Sequence, residues 1–125
     1  MSRFEDTGFG WVKYGGERYD HDVYVDTEGN VHRREKDLSR RKFGTSHRLA
    51  ADEIERLLEL CDEEPEVIVV GTGQSGVLTV TDEARELCEE RGIELVDLRT
   101  PEAIERFNEL REEGRRVAAI IHTTC

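Results

Sequence analysis

A run of apolar residues that ends in glycines constrains the fold more than any other feature. Val67 to Val70 are four consecutive apolar residues, two positions after Pro65, and lead into a glycine-rich segment. Such a run is typical of a strand buried on both faces, in the middle of a parallel sheet. Ligands of open α/β sheets bind at the carboxyl ends of such strands. The run therefore predicts an α/β fold with a candidate site at the segment called here the glycine loop: Gly71, Thr72, Gly73, Gln74, Ser75 and Gly76.

The second half of the chain alternates strand and helix patterns. Residues 50–61 carry apolar side chains at helical spacing before the buried strand. After the glycine loop, Thr81 is a predicted N-cap, and a second strand follows at residues 93–98. Thr100 is the predicted N-cap of a third helix with Pro101 in its first turn, and a third strand covers residues 117–121. Right-handed crossovers would make the strands of this β-α-β-α-β unit parallel neighbours.

The first third of the chain carries the signals of antiparallel hairpins. Gly15 and Gly16 form a two-residue turn signal, and residues 27–30 form a second turn between alternating segments. A length of 125 residues is typical of a single domain, here residues 1–125. In one interpretation, residues 1–8 form a flexible start.

Composition excludes some classes of function. The net charge of −11 argues against general binding to nucleic acid, which requires a basic surface. The apolar runs fall well short of the ~18 residues of a membrane span, and the first residues carry no export signal. Cys61 and Cys88 lie on apolar faces of predicted helices, so buried thiols in a reducing cytoplasm are the expected state.

A basic run interrupts this acidic sequence at residues 33–42. One interpretation is a site for RNA or an acidic protein. The other is a solvated edge and loop whose charges discourage aggregation between strands.

The glycine loop matches the spacing G-x-G-x-x-G of dinucleotide-binding folds. However, the next helix is predicted to begin only near Thr81, so its dipole would not point at the loop. Two alternatives remain open: the loop amides hold an anion, or the glycines serve a tight turn with positive φ.

Histidine and cysteine side chains are expected near the same edge. His122 and Cys125 follow the last parallel strand, and His47, before the first helix, could approach them. A His–Cys pair can form a thiolate nucleophile, and His-x-x-Cys can ligate a metal. Two or three ligands at unknown distances do not make a metal motif, so neither a metal nor a cofactor is predicted. The structural alternative is that His122 hydrogen-bonds the glycine loop or the end of the chain.

Four short motifs together resemble a known family. They are Gly44-Thr45-x-His47, the segment 69–73, Pro101-Glu102-Ala103 with Phe107-Asn108, and the ending His122-x-Thr124-Cys125. The family consists of small archaeal and bacterial proteins of unassigned function. It includes the human adipogenesis-associated domain protein and, more distantly, a mitochondrial assembly factor for respiratory complex I. The resemblance covers nearly the whole chain.

The resemblance implies a three-layer α/β fold, with a mixed central sheet, helices on one side and β-hairpins on the other. It implies no established enzyme activity. The glycine loop with Thr45, His47 and His122 is the candidate ligand site, and His47, His122 and Cys125 are candidate catalytic groups. The leading hypothesis is a non-enzymatic binding or assembly domain that presents this edge to a protein partner or a small ligand, with a homodimer as a further option. The alternative is a protein that binds a small anion or nucleotide, or an enzyme that uses His47 or His122.

Overall fold

The computed structural model describes residues 2–125, which form ten strands and four helices. The strands are β1 (Phe4–Gly8), β2 (Trp11–Tyr14), β3 (Glu17–Tyr19), β4 (Val23–Val25), β5 (Val31–Arg33), β6 (Arg48–Leu49), β7 (Val67–Thr72), β8 (Thr79–Val80), β9 (Glu94–Leu98) and β10 (Val117–His122). The helices are α1 (Asp37–Phe43), α2 (Ala51–Leu60), α3 (Asp82–Glu90) and α4 (Thr100–Glu112).

The central sheet has five strands in the order β5-β4-β10-β7-β9. β10, β7 and β9 are parallel, whereas β4 pairs antiparallel with β10 and β5 with β4. The parallel part confirms the predicted β-α-β-α-β unit, and the mixed sheet confirms the predicted fold class. A separate sheet of β1, β2 and β3 contains the first predicted hairpin, and β6 and β8 form a short parallel pair.

The two central strands are buried on both faces, as the apolar runs predict. Val67 and Val69 of β7 point into one core, and Ile68 and Val70 point into the other. β10 divides its side chains in the same way, because successive side chains of a strand point to opposite faces. One core lies under β1–β3 and α4, and the other lies under α2 and α3.

The position of α4 corrects the expectation that the helices share one side of the sheet. α4 packs on the same face as the β1–β3 sheet, whereas α2 and α3 cover the opposite face. The chain moves outward from β7 to β9 and then back across β7 to β10. Because both crossovers are right-handed, reversing the direction of travel puts the second helix on the other face.

Two segments, residues 4–8 and 33–42, differ from the sequence interpretation. Residues 4–8, expected to be flexible, form β1, and the Phe4 side chain is buried against Tyr14 and Phe107. The run at residues 33–42, expected to be edge and loop, contains α1, which ends at Gly44 in the left-handed conformation. Charged residues outnumber apolar ones in this seven-residue helix, so no helical hydrophobic period marks it.

The two predicted caps have different outcomes. The Thr81 hydroxyl accepts a hydrogen bond from the N–H of Ala84, so Thr81 is the N-cap of α3 as predicted. Thr100 is not the N-cap of α4, because the helix already includes it and Arg99 occupies the cap position. Its hydroxyl bonds across the sheet instead, as described below.

Candidate functional site

The carboxyl ends of β7 and β10 meet at one edge of the central sheet. His122 is paired with Thr72, so the glycine loop and the segment after β10 leave the sheet side by side. The backbone N–H of Gln74 donates to the carbonyl of Thr124 (2.7 Å), and that of Val77 donates to the carbonyl of Cys125 (2.9 Å). The loop therefore wraps around residues 123–125, and the two form one unit.

Most of the loop amides that were candidates for holding an anion are already engaged. The N–H of Gly73 donates to the Thr100 hydroxyl (2.9 Å), and that of Gly76 donates to the carbonyl of Gly73 (3.3 Å). The Gln74 side-chain amide donates to Thr7, Gly8 and Thr123. An amide that donates within the protein cannot also cradle a phosphate. The bonding pattern therefore favours the tight-turn alternative over anion binding.

Gly73 permits the close contact between the loop and the end of the chain. Its φ is +105°, and a Cβ added there would lie 2.5 Å from the Cys125 carbonyl carbon and 2.8 Å from Cδ2 of His122. Only glycine combines this backbone conformation with such an approach. The glycines of the loop thus seat the residues that carry the histidine and the cysteine.

Thr100, at the start of α4, stabilises the contact between the glycine loop and the end of β10. Its hydroxyl accepts from the N–H of Gly73 and donates to the carbonyl of His122 at 2.5 Å. Thr100 is fully buried, and it packs so closely that a Cβ on Gly71 would lie 2.8 Å from its hydroxyl oxygen. One hydroxyl therefore ties together the loop, β10 and α4.

His47 reaches the same edge through the short β6–β8 pair. The carbonyl of His47 accepts from the N–H of Thr79, three residues after the glycine loop (2.8 Å). Thr45 accepts a hydrogen bond from the N–H of His47 (3.1 Å), so it shapes the turn that carries the histidine. The structure places His47 beside the glycine loop. Thr45 acts on the candidate site only by positioning His47.

The three candidate catalytic side chains lie together. One potential ligand atom from each of His47, His122 and Cys125 lies within 4.8 Å of the others. Cys125 Sγ is 3.8 Å from His47 Nε2, and the two imidazole rings are 5.2 Å apart at their centroids. Burial, followed by the nearby His122 and Arg34, lowers the pKa of His47. We call these residues the His47–His122–Cys125 cluster.

A buried carboxylate fixes the orientation of His122. Asp22 Oδ2 lies 2.8 Å from His122 Nδ1, and Asp22 Oδ1 accepts from the N–H and the hydroxyl of Thr123. Since an ionised carboxylate can only accept, Nδ1 carries a proton, and in the neutral imidazole Nε2 is the nitrogen with the free lone pair. Nε2 lies 3.2 Å from the Thr124 hydroxyl.

Behind Asp22 lies a buried ionic network that extends to α2. The guanidinium of Arg34 donates to Asp22 (2.9 Å) and makes two bonds to Glu53 (2.9 and 2.8 Å). The side chains of Arg34 and Glu53 are 0% exposed. Tyr24 and Ser39 donate further hydrogen bonds to Glu53. The order Glu53–Arg34–Asp22–His122 thus connects α2 to the end of β10.

Sequence reasoning missed this network. Asp22 looked like the polar position of an alternating strand, Arg34 belonged to the basic run, and Glu53 stood in the first turn of a helix. In a chain with 29 acidic and 18 basic residues, such positions resemble solvated charges. The weak signal that was present is that Asp22 directly precedes the apolar segment 23–25.

The network predicts a specific loss of stability in acid. Burial by itself would raise the pKa of Asp22, but hydrogen bonds and charge from His122, the Thr123 N–H and Arg34 together lower it. A carboxyl with a lowered pKa in the folded state stabilises the fold above its unfolded pKa of about 3.9, and this contribution is lost as pH falls further. We expect wild-type stability to fall more steeply below about pH 4 than that of Asp22→Asn. Denaturant unfolding between neutral and acid pH measures both slopes; equal slopes contradict the prediction.

The basic run does not form a uniformly cationic surface. Arg34 is buried in the network, Arg40 pairs with Asp37 (2.9 Å), and Lys42 pairs with Glu83 (2.9 Å) and Asp52 (3.4 Å). These contacts favour the solvated-face interpretation over a site for RNA or an acidic protein.

Comparison with known proteins identifies the family to which this fold belongs. A family model described as "Protein of unknown function (DUF498/DUF598)" matches residues 4–122. The chain belongs to the DUF498/DUF598 family. The matched region includes the glycine loop, His47 and His122, and therefore most of the site described above.

Solved structures of similar proteins share the DUF498/DUF598 fold. The protein MT938 is 45% identical over 100% of both chains, with a TM-score of 0.86. The conserved hypothetical protein PH1505 from Pyrococcus horikoshii OT3 is 38% identical over 98% of this chain and 99% of its own, with a TM-score of 0.89. A Mth938-like domain protein of Bordetella pertussis is 19% identical over 98% of this chain and 85% of its own. Its TM-score of 0.70 shows likeness of fold alone.

The helices of the described residues are short and amphipathic. Within residues 2–125, none has the length and apolar character needed to cross a membrane.

Proposed function

We propose that this chain is a non-enzymatic binding domain of the assembly type, and that it binds a protein partner through one rim. The rim consists of the β1–β2 turn around Phe9, the glycine loop with Val77, and residues 123–125. The observation that carries the proposal is the position of the exposed hydrophobic side chains.

Phe9 and Val77 are the large hydrophobic side chains that are exposed among residues 2–125, at 70% and 46% of their surface. Both flank the segment after β10. Gly10 donates its N–H to the carbonyl of Thr123 (2.9 Å), and Val77 donates its N–H to the carbonyl of Cys125 (2.9 Å). Exposed aromatic and aliphatic side chains surrounded by polar groups are typical of the centre of a protein interface.

The surrounding groups suit a protein more than a small anion. The loop amides donate within the protein, whereas the groove beside the loop presents the Arg85–Asp97 pair (2.9 Å) and Arg99. The net charge of −11 favours a partner with a basic surface, because complementary charge speeds encounter. The motif resemblance to a family that includes a complex I assembly factor also favours an assembly role. The three thiols suit a reducing compartment such as the cytoplasm.

Substitutions at the rim test the proposal. We expect the double variant Phe9→Ser/Val77→Ser to bind the partner with a Kd at least about 30-fold weaker, because truncating even one interface anchor costs about 2 kcal/mol or more. Its free energy of unfolding should change by no more than about 0.5 kcal/mol, since exposed side chains contribute little to folding. The measurement is a binding titration with a partner identified by crosslinking from position 9 in the native host.

The matched control is Glu90→Ala, an exposed residue at the opposite edge of the sheet, where α3 ends. This variant should bind as tightly as the wild type. Equal affinity of the rim double variant and the control would contradict the proposal. Sedimentation of the free chain separates the homodimer option, because a dimer that Phe9→Ser/Val77→Ser dissolves would identify the partner as a second copy.

A further inference from the structure

The His47–His122–Cys125 cluster shares Cys125 with the proposed rim, but partner binding gives no role to the two imidazoles and the thiol that meet there. Its side chains come from three places in the sequence: the turn before β6, the last residue of β10, and the segment that the glycine loop wraps. We propose that this cluster is a metal site that takes Zn²⁺ or a similar borderline-soft divalent ion through two imidazoles and one thiolate.

The distances suit a tetrahedral ion. Zn–N bonds of about 2.0–2.1 Å and Zn–S bonds of about 2.3 Å place neighbouring ligand atoms roughly 3.3–3.7 Å apart. Cys125 Sγ is 3.8 Å from His47 Nε2, and all three ligand atoms lie within 4.8 Å of one another. His47 and Cys125 are half-buried. Rotation of their side chains brings the ligand atoms to these spacings without moving the sheet.

The support behind His122 is of the kind found behind metal-binding histidines. A ligating imidazole usually donates its second N–H to a carboxylate, which fixes the ring and its tautomer. His122 donates Nδ1–H to Asp22 (2.8 Å), and Asp22 is itself held by Arg34 and Thr123. This leaves Nε2 as the metal-binding nitrogen, from which the ion displaces the hydrogen bond of the Thr124 hydroxyl (3.2 Å).

The donor types select the class of ion. Thiolate and imidazole suit Zn²⁺ and related ions, whereas Mg²⁺ and Ca²⁺ prefer oxygen ligands. Binding releases the proton of the Cys125 thiol to solvent and forms the metal–sulfur bond. Three protein ligands leave one tetrahedral position for water or for a group from a partner.

Cobalt provides a direct spectroscopic test. The full chain is freed of metal with a chelator and titrated with Co²⁺, and Zn²⁺ is then added as a competitor. We expect one Co²⁺ per chain, a thiolate-to-cobalt charge-transfer band, visible absorption of a four-coordinate ion, and displacement by Zn²⁺. Zn²⁺ should also raise the Tm, because a ligand that binds the folded state stabilises it.

Variants assign the ligands. Cys125→Ser should remove the charge-transfer band, and His47→Gln should weaken binding by more than the about 10–100-fold expected for Asp22→Asn, whose effect is on the orientation of His122. Thr124→Val should keep the wild-type Kd or lower it, because it removes the competing hydroxyl. The matched controls are Cys61→Ser and His21→Gln, which change a thiol and an imidazole outside the cluster. Both should bind as the wild type does.

The outcomes separate the proposal from its alternatives. Circular dichroism of Cys125→Ser and His47→Gln should match the wild type, since both positions are half-buried and outside the cores. Absence of the band in the wild type overturns the proposal. A band that persists in Cys125→Ser and disappears in Cys61→Ser also overturns it, by assigning the metal to another thiol.

Discussion

Replacing Arg34 with methionine is expected to lower the free energy of unfolding by about 3–5 kcal/mol, because it leaves two buried carboxylates without their countercharge. Arg34 makes two bonds to Glu53 and one to Asp22, and its side chain is fully buried. Methionine has a similar length, so the loss of volume is small and the loss of charge dominates. Denaturant unfolding at pH 7, monitored by circular dichroism, measures the change.

The matched control is Arg91→Met. Its guanidinium also lies 2.9 Å from a carboxylate, that of Glu64, but both side chains are about half exposed. Solvent screens such a pair, so the control should lose less than about 1 kcal/mol. A double-mutant cycle with Glu53→Gln adds a second check, since residues of one network should couple by about 0.5–3 kcal/mol. Equal losses in Arg34→Met and Arg91→Met would show that the network does not hold α2 to the end of β10.

Local patterns were sufficient to predict the framework of the sheet. The apolar runs 67–70 of β7 and 117–121 of β10 are buried on both faces of the sheet, and such runs can be recognised without knowing their neighbours. The three strands of the β-α-β-α-β unit were predicted to be parallel, but their order, with β7 between β10 and β9, was not predicted. Applied to the observed order, right-handed crossovers place α4 on the opposite face from α3. The expectation that all helices share one side came from the family resemblance.

Residues whose roles depend on distant partners were not predictable in the same way. Thr100 has the sequence context of an N-cap, yet its hydroxyl bonds Gly73 and His122, which lie far away along the chain. The Asp22–Arg34–Glu53 charges look like solvated residues until the fold places them together. The meeting of His47, His122 and Cys125 was expected at one edge, but the carboxylate behind His122 was not. The candidate site was therefore located from the sequence, whereas its support was not.

Gly73→Ala is the second substitution with a large expected effect. Its φ of +105° strains any side chain, which costs about 1–3 kcal/mol. In addition, the new Cβ would lie 2.5 Å from the Cys125 carbonyl carbon and 2.6 Å from its oxygen. These are backbone atoms, so relief requires movement of the chain, and overpacking of this kind costs about 1–3 kcal/mol more. We expect a total loss of about 2–6 kcal/mol in the free energy of unfolding.

Gly92→Ala isolates the contribution of the close contact. Gly92 also has a positive φ, of +69°, but a Cβ there meets no heavy atom within 4 Å in the part of the chain that the structure describes. Gly92→Ala should therefore lower the free energy of unfolding only by the cost of the strained backbone conformation, about 1–2 kcal/mol. If Gly73→Ala costs no more than Gly92→Ala, the approach of Cys125 to the loop is not a feature of the folded protein in solution. If it costs more and also weakens Co²⁺ binding while Gly92→Ala does not, the glycine loop serves to seat the thiol beside the two histidines. That result would explain why a sequence with the spacing of a nucleotide-binding loop directs its amides to its own chain.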